Sequence, residues 1–139
     1  MILLDTNVLI YVSDLHSPFY EWSHETIIKA VVAGGAAINA VTLAELCVGD
    51  SEPRTVADRV RSWGVRILDV PAAVAEPCAV AYKHYRERRL RDSGKQAPSM
   101  PLPDFLIGAH ALVMGWELAT ADEGRFSTYF PSIKLKTPQ

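Results

Sequence analysis

The chain has 139 residues, a formal net charge of −2 and 49% hydrophobic against 22% charged residues, which fits one globular domain over residues 1–139. The charge balance lacks the broad basic excess of a typical nucleic-acid binder. No apolar run approaches the roughly 20 residues that span a bilayer, and an acid stands at position 5 where a secretory signal would carry basic residues, so a cytoplasmic protein away from membranes is expected.

Residues 2–4 read as a short buried strand, with Thr6 or Asn7 capping a helix that begins near Val8. Ser17-Pro18 reads as the N-cap and first position of a second helix, whose Ile27, Ile28, Val31 and Val32 recur at helical spacing up to Gly34-Gly35. Residues 36–40 form a second strand, residues 41–48 a third helix stopped by Gly49-Asp50, and Pro53 opens another helix. A third strand over 65–70 leads into a long helix from Ala72 to about Leu90, with Pro77 in its first turns.

Residues 92–103 hold Ser93, Gly94, Pro98, Ser99, Pro101 and Pro103 and read as an exposed loop. After it come a helix over 105–114 ending at Gly115, a strand over 117–120, a loop over 121–128 with room for one turn of helix, and a last strand over 133–135. Strands alternating with helices predict an α/β fold built from βαβ units, with a mostly parallel sheet covered on both faces. No GxGxxG follows the first strand, which argues against a dinucleotide site.

Four carboxylates stand out against this frame. Asp5 follows a buried strand, the position at the mouth of an α/β sheet where ligand chemistry usually sits. Glu45 lies in Val41-Thr42-Leu43-Ala44-Glu45-Leu46-Cys47-Val48, among apolar neighbours on a helix face. Unpaired there it would cost several kcal/mol, so it needs a cation, a metal or a proton. Asp104 follows Leu102-Pro103 at a helix start, and Asp122 repeats the strand-end placement of Asp5 through Thr120-x-Asp122.

Each also has a plain structural explanation: a helix cap for Asp5 and Asp104, an arginine salt bridge for Glu45, an Asx turn for Asp122. Adjacent Glu123 leaves open whether it replaces or assists Asp122. Four acids in one crevice repel unless cations hold them. Mg2+ or Mn2+ suits such a set, because each takes oxygen ligands, keeps waters and binds phosphate, and such ions activate water for in-line attack on phosphorus. Asp5, Asp104 and Asp122 are the expected metal ligands, with Glu45 joining them as a catalytic acid and Thr6, Asn7 and Thr120 orienting carboxylates or water.

Four stretches, Leu4-Asp5-Thr6-Asn7-Val8-Leu9-Ile10, Val41-Thr42-Leu43-Ala44-Glu45-Leu46, Pro103-Asp104-Phe105-Leu106-Ile107-Gly108-Ala109, and Leu118-Ala119-Thr120-Ala121-Asp122 through Phe126 to Pro131, resemble those of PIN-domain ribonucleases. More closely, the sequence is similar to VapC-type toxins of toxin–antitoxin pairs. The resemblance covers nearly the whole chain. It implies a three-layer PIN-like fold, usually dimeric, and divalent-metal-dependent RNA cleavage leaving a 5′-phosphate and a 3′-hydroxyl. It also implies Asp5, Glu45, Asp104 and Asp122 as the acidic metal-binding positions, Thr6 and Thr120 as polar neighbours, and a cognate VapB-type antitoxin that obstructs the acidic groove.

Lys83, Arg86 and Arg89, with His84, Arg88, Arg91 and Lys95 and the interleaved Tyr82 and Tyr85, form the one concentrated positive stretch. It would serve equally as a grip on RNA phosphates or as a solvated helix face. Cys47 and Cys78 lack metal-site spacing and read as small core side chains, the histidines show no HxxxH or HExxH, and Trp22, Trp63 and Trp116 read as packing anchors. Two rivals remain. An aspartate-based phosphatase would want a second acid at position 7, where Asn7 stands, and a non-catalytic PIN-like module would bind RNA or protein without turnover.

Overall fold

The computed structural model describes residues 1–93 and 102–138. In chain order the elements are β1 (Ile2–Leu4), α1 (Thr6–Val12), α2 (Tyr20–Ala33), β2 (Ala36–Asn39), α3 (Ala40–Val48), a 3-10 turn (Pro53–Thr55), α4 (Val56–Ser62), β3 (Val65–Leu68), a second 3-10 turn (Ala72–Val74), α5 (Ala75–Ser93), α6 (Leu102–Met114), β4 (Glu117–Ala119), α7 (Glu123–Tyr129) and β5 (Leu135–Lys136). The strands form one sheet in the order β3-β2-β1-β4-β5, and every pair is parallel. This is the three-layer α/β fold expected from the sequence.

Because successive strand residues face opposite ways, each short strand serves two cores. Leu3, Ala37 and Leu118 pack with Val74, Ala81, Tyr85, Phe105, Ile107 and Phe126, the side of α5, α6 and α7. Leu4, Ala36, Ile38 and Ala119 pack with Val8, Leu9, Ile27, Ala30, Val56 and Val60, the side of α1, α2 and α4. Leu3, Leu4, Ala37 and Leu118 are fully buried, which explains why the strands read as continuous apolar runs rather than alternating ones. α6 is drawn tightly against the end of α7: a Cβ on the buried Gly108 would come within 2.5 Å of Phe130 Cε2, so only glycine admits the ring.

Several boundaries differ from expectation, each for a local reason. Helix α1 begins at Thr6, and Asp5 itself is the cap, its Oδ1 accepting from Thr6 N at 2.8 Å. Ser17 Oγ accepts from Phe19 N in the turn before α2, which starts two residues later than expected, at Tyr20. Asn39 Oδ1 accepts from Val41 N and Thr42 N, pulling Ala40 into α3 and ending β2 one residue early. Pro53 opens a 3-10 turn rather than an α-helix.

The expected loop over 121–128 is instead a helix, α7, capped by Asp122 through Arg125 N. The expected loop over 92–103 is shorter at both ends, since α5 runs through Ser93 and α6 opens at Leu102; residues 94–101, Lys95 among them, lie outside the described residues. Cys78 is buried in the first core and Cys47 packs half-buried on the second, both as free thiols. The three tryptophans are half-buried against the cores, as expected. Among the described residues no helix is long and apolar enough to cross a membrane.

Candidate active site

In the strand order β3-β2-β1-β4-β5 the chain builds outward from β1 to β3 and then crosses to β4 on the other side. The crevice beyond the carboxyl ends of β1 and β4 is therefore the topological switch point, where open α/β sheets bind ligands. Asp5 follows β1 directly, and its N–H continues the ladder to Ala119 O of β4 at 2.9 Å. Thr120 follows β4 directly. Its hydroxyl donates to Asp5 Oδ2 at 2.8 Å and accepts from Asp122 N at 3.0 Å and from Asn7 Nδ2 at 3.4 Å. Asn7 Oδ1 also accepts from Ala121 N at 3.3 Å.

Asp5 is 4% exposed. Burial pushes its carboxyl up to about 6, the negative charges of Asp104 and Glu45 push the same way, and the Thr120 hydroxyl and Thr6 N–H oppose them. Losing the Thr120 hydroxyl should therefore be visible. Thr120→Val is expected to raise the Asp5 titration midpoint in the metal-free protein by about one pH unit or more, since a hydrogen bond to a charged group contributes about 1.5–3 kcal/mol. Carboxyl 13C NMR titration measures it, and an unmoved midpoint would show that Thr120 does not hold the ionised form.

Glu45 is reached from α1. Thr6 Oγ1 donates to Glu45 Oε1 at 2.6 Å, and Thr42 Oγ1 lies 3.1 Å from the same hydroxyl, so Thr42 can donate to Thr6. The apolar surroundings expected for Glu45 are only partly present. Ala44 is exposed and Val48 is 88% exposed, and the buried member of α3 is Thr42, so the carboxylate is half-buried and hydrogen-bonded by threonine rather than arginine.

Asp104, in the first turn of α6, is 8% exposed. Burial raises its pKa, the guanidinium of Arg125 lowers it, and Glu45 and Asp122 raise it. Arg125 Nη1 lies 2.6 Å from Asp104 Oδ2 and Arg125 Nε 3.0 Å from Asp122 Oδ2. The four acids thus act on one another's charge at one end of the sheet. Among the described residues no three Asp, Glu, His or Cys side chains form a ready ligand cluster, and a guanidinium holds two of the four acids. Glu123 is exposed in the first turn of α7, while Asp122 makes the cap and faces Arg125.

Lys83, Arg86 and Arg89 lie on α5, a different element from those that carry the acids, with Lys83 and Arg86 exposed and Arg89 half-buried. Beside Glu45 a cleft of about 210 Å³ opens between α1, α3 and α4, lined by Leu9, Ile10, Leu46, Val60 and Trp63, with Asp50 and Arg59 paired at 3.0 Å.

Sequence reasoning missed Arg125, Thr42 and a buried pair that joins the end of β2 to α6. Asn39 Nδ2 lies 3.1 Å from His110 Nδ1, with Asn39 0% and His110 1% exposed. The Asn39 carbonyl is already engaged at the start of α3, so its NH2 must donate and Nδ1 of His110 must accept. That requires a neutral ring, and burial lowers the His110 pKa accordingly.

The chain matches the PIN domain family over residues 2–129. No curated protein matches it at a significant level. Among solved structures it is similar to VapBC2 from Rickettsia felis bound to a promoter DNA fragment, at 22% identity and a TM-score of 0.66, covering 99% of this chain and 98% of that one. It is also similar to a toxin-antitoxin complex from Klebsiella pneumoniae, at 20% identity and a TM-score of 0.70, covering 100% and 98%. A third similar structure is VapC20 from Mycobacterium tuberculosis, described as a sarcin-ricin loop cleaving toxin, at 17% identity and a TM-score of 0.61, covering 99% and 100%.

Proposed function

Because the chain belongs to the PIN-domain family, we propose that it is a divalent-metal-dependent endoribonuclease acting as the toxin of a VapBC-type toxin–antitoxin pair. The observation that carries this reading is Asp5, a buried carboxylate at the switch point whose charge is opposed by Asp104 and Glu45. A fold keeps a buried acid under such repulsion at a cost, and functional sites are where that cost recurs. The donor set fits a hard cation: carboxylate oxygens with excess negative charge, oriented by hydroxyls and an amide.

Asp5, Asp104 and Asp122 would hold Mg2+ or Mn2+, which when bound supplies an activated water and stabilises charge developing at phosphorus. Thr120 holds one oxygen of Asp5 and thereby fixes the direction of the other. Thr6 keeps Glu45 pointed toward the same crevice, and Asn7 braces the segment from Thr120 to Asp122. Lys83, Arg86 and Arg89 would meet RNA phosphates as diffuse positive charge. The apolar cleft beside Glu45 suits a short apolar antitoxin segment, and the resemblance to VapC toxins adds a homodimer.

The test is cleavage of a mixed cellular RNA pool by the full chain in Mn2+, in EDTA and as Asp5→Asn, with fragment ends mapped by sequencing. Discrete cuts carrying 5′-phosphates are expected with Mn2+ alone. Cuts that persist in EDTA or in the variant would overturn the metal mechanism. A folded wild-type chain that cuts nothing would favour the non-catalytic binding module.

A further inference from the structure

Arg125 stands where the acids meet and spans two of them. Its Nη1 engages Asp104 at the start of α6, and its Nε engages Asp122 at the cap of α7. The side chain of Arg125 is 39% exposed, that of Asp122 41% and that of Asp104 11%, so the guanidinium is open to solvent while it holds a nearly buried acid. The fold does not need this bridge to place α7: Asp122 Oδ1 already caps the helix through Arg125 N, and Phe126 and Phe130, 0% and 2% exposed, anchor it in the core.

We propose that Arg125 is an internal counter-cation that couples metal loading to RNA binding. Without RNA it neutralises Asp104 and Asp122 and weakens their hold on a divalent ion; a substrate phosphate draws the guanidinium away and frees both carboxylates. This rests on the reading of the acids as metal ligands of a ribonuclease. The chemistry supports the exchange. A guanidinium fork matches phosphate as well as carboxylate, with two parallel hydrogen bonds to either. The pair with Asp122 is exposed on both sides, and an ion pair in that setting is held weakly enough to trade one anion for another. A fixed positive charge against two ligands opposes a second cation there, and removing it strengthens metal binding. By linkage, whatever factor RNA adds to metal affinity the metal adds to RNA affinity.

The experiment is calorimetric titration of Mn2+ into the full chain, with and without a mixed-sequence single-stranded deoxyoligonucleotide as phosphate probe, for wild type, Arg125→Gln and Arg125→Lys. Circular dichroism melting serves as the folding control. Wild type is expected to bind Mn2+ weakly alone and at least fivefold more tightly with the probe. Arg125→Gln is expected to bind at least fivefold more tightly than wild type alone and to gain less from the probe, while Arg125→Lys, which keeps the charge, stays near wild type alone.

A folded Arg125→Gln with unchanged or weaker Mn2+ affinity overturns the proposal, as does a lowered melting temperature with no change in affinity, the mark of a purely structural staple. If Mn2+ binds neither wild type nor Arg125→Gln, the metal reading itself fails and the inference falls with it. Binding equal in the two would sink the inference and leave the metal reading standing.

Discussion

Asp5→Asn is expected to abolish RNA cleavage, by a thousandfold or more in order of magnitude, and at the same time to make the metal-free protein more stable at neutral pH. The two effects have one cause. The Asp5 carboxyl titrates near 3.8 in an unstructured chain and is pushed up to about 6 in the folded one. Folding therefore favours its protonated form. That stabilisation is full below the unfolded value and is lost as the pH rises through the folded one, so stability of the metal-free protein falls between about pH 4 and pH 6.

Above that window the buried charge costs up to about 3 kcal/mol, at about 1.4 kcal/mol for each unit of displacement. Asparagine removes the charge and keeps an oxygen for Thr6 N, although its NH2 group disturbs the bond with Thr120. The net expectation is a melting temperature raised by roughly 5 °C in EDTA at neutral pH, little difference near pH 4, and no rise on adding Mn2+. Scanning calorimetry across pH checks it. A variant less stable than wild type at neutral pH would show that Asp5 is not held against its own charge.

Phe105→Ala is expected to cost about 3–5 kcal/mol, a large share of the roughly 5–15 kcal/mol that holds a domain of this size. Phe105 is 0% exposed and lies one residue after Asp104. Its ring meets Tyr82 edge-on at 5.2 Å, Tyr85 at 5.5 Å, Tyr129 at 5.6 Å and Phe130 at 6.0 Å, so one side chain joins α5, α6 and the end of α7. Its loss removes both the buried area and the aromatic pairings. The urea midpoint should fall steeply with an unchanged slope; a loss below about 1 kcal/mol would mean that the aromatic layer does not carry the α6 side of the sheet.

Asp5, Asp104 and Asp122 stand out in the sequence as candidates because each follows a short apolar strand or opens a helix, signals confined to a few neighbouring residues. The cap of α1 stays open in the sequence because Asp5, Thr6 and Asn7 can all cap, and only the strand register decides for Asp5. Helix α7 reads as loop in the sequence because Gly124, Ser127 and Thr128 lower the local helical signal; Phe126 and Phe130, buried one turn apart, outweigh it. Arg125 was invisible as a partner of Asp104 because their meeting depends on how α7 docks on α6. Asn39 and His110, far apart in sequence, are polar residues whose pairing exists only once β2 and α6 are packed.

That pair joins the start of the helix that carries Glu45 to the helix that carries Asp104. The two helices that bring these acids are thus tied to each other by a hydrogen bond between fully buried groups. Exposed residues such as Val48 of α3 and Val80 of α5 take no part in that tie and can change without loosening it.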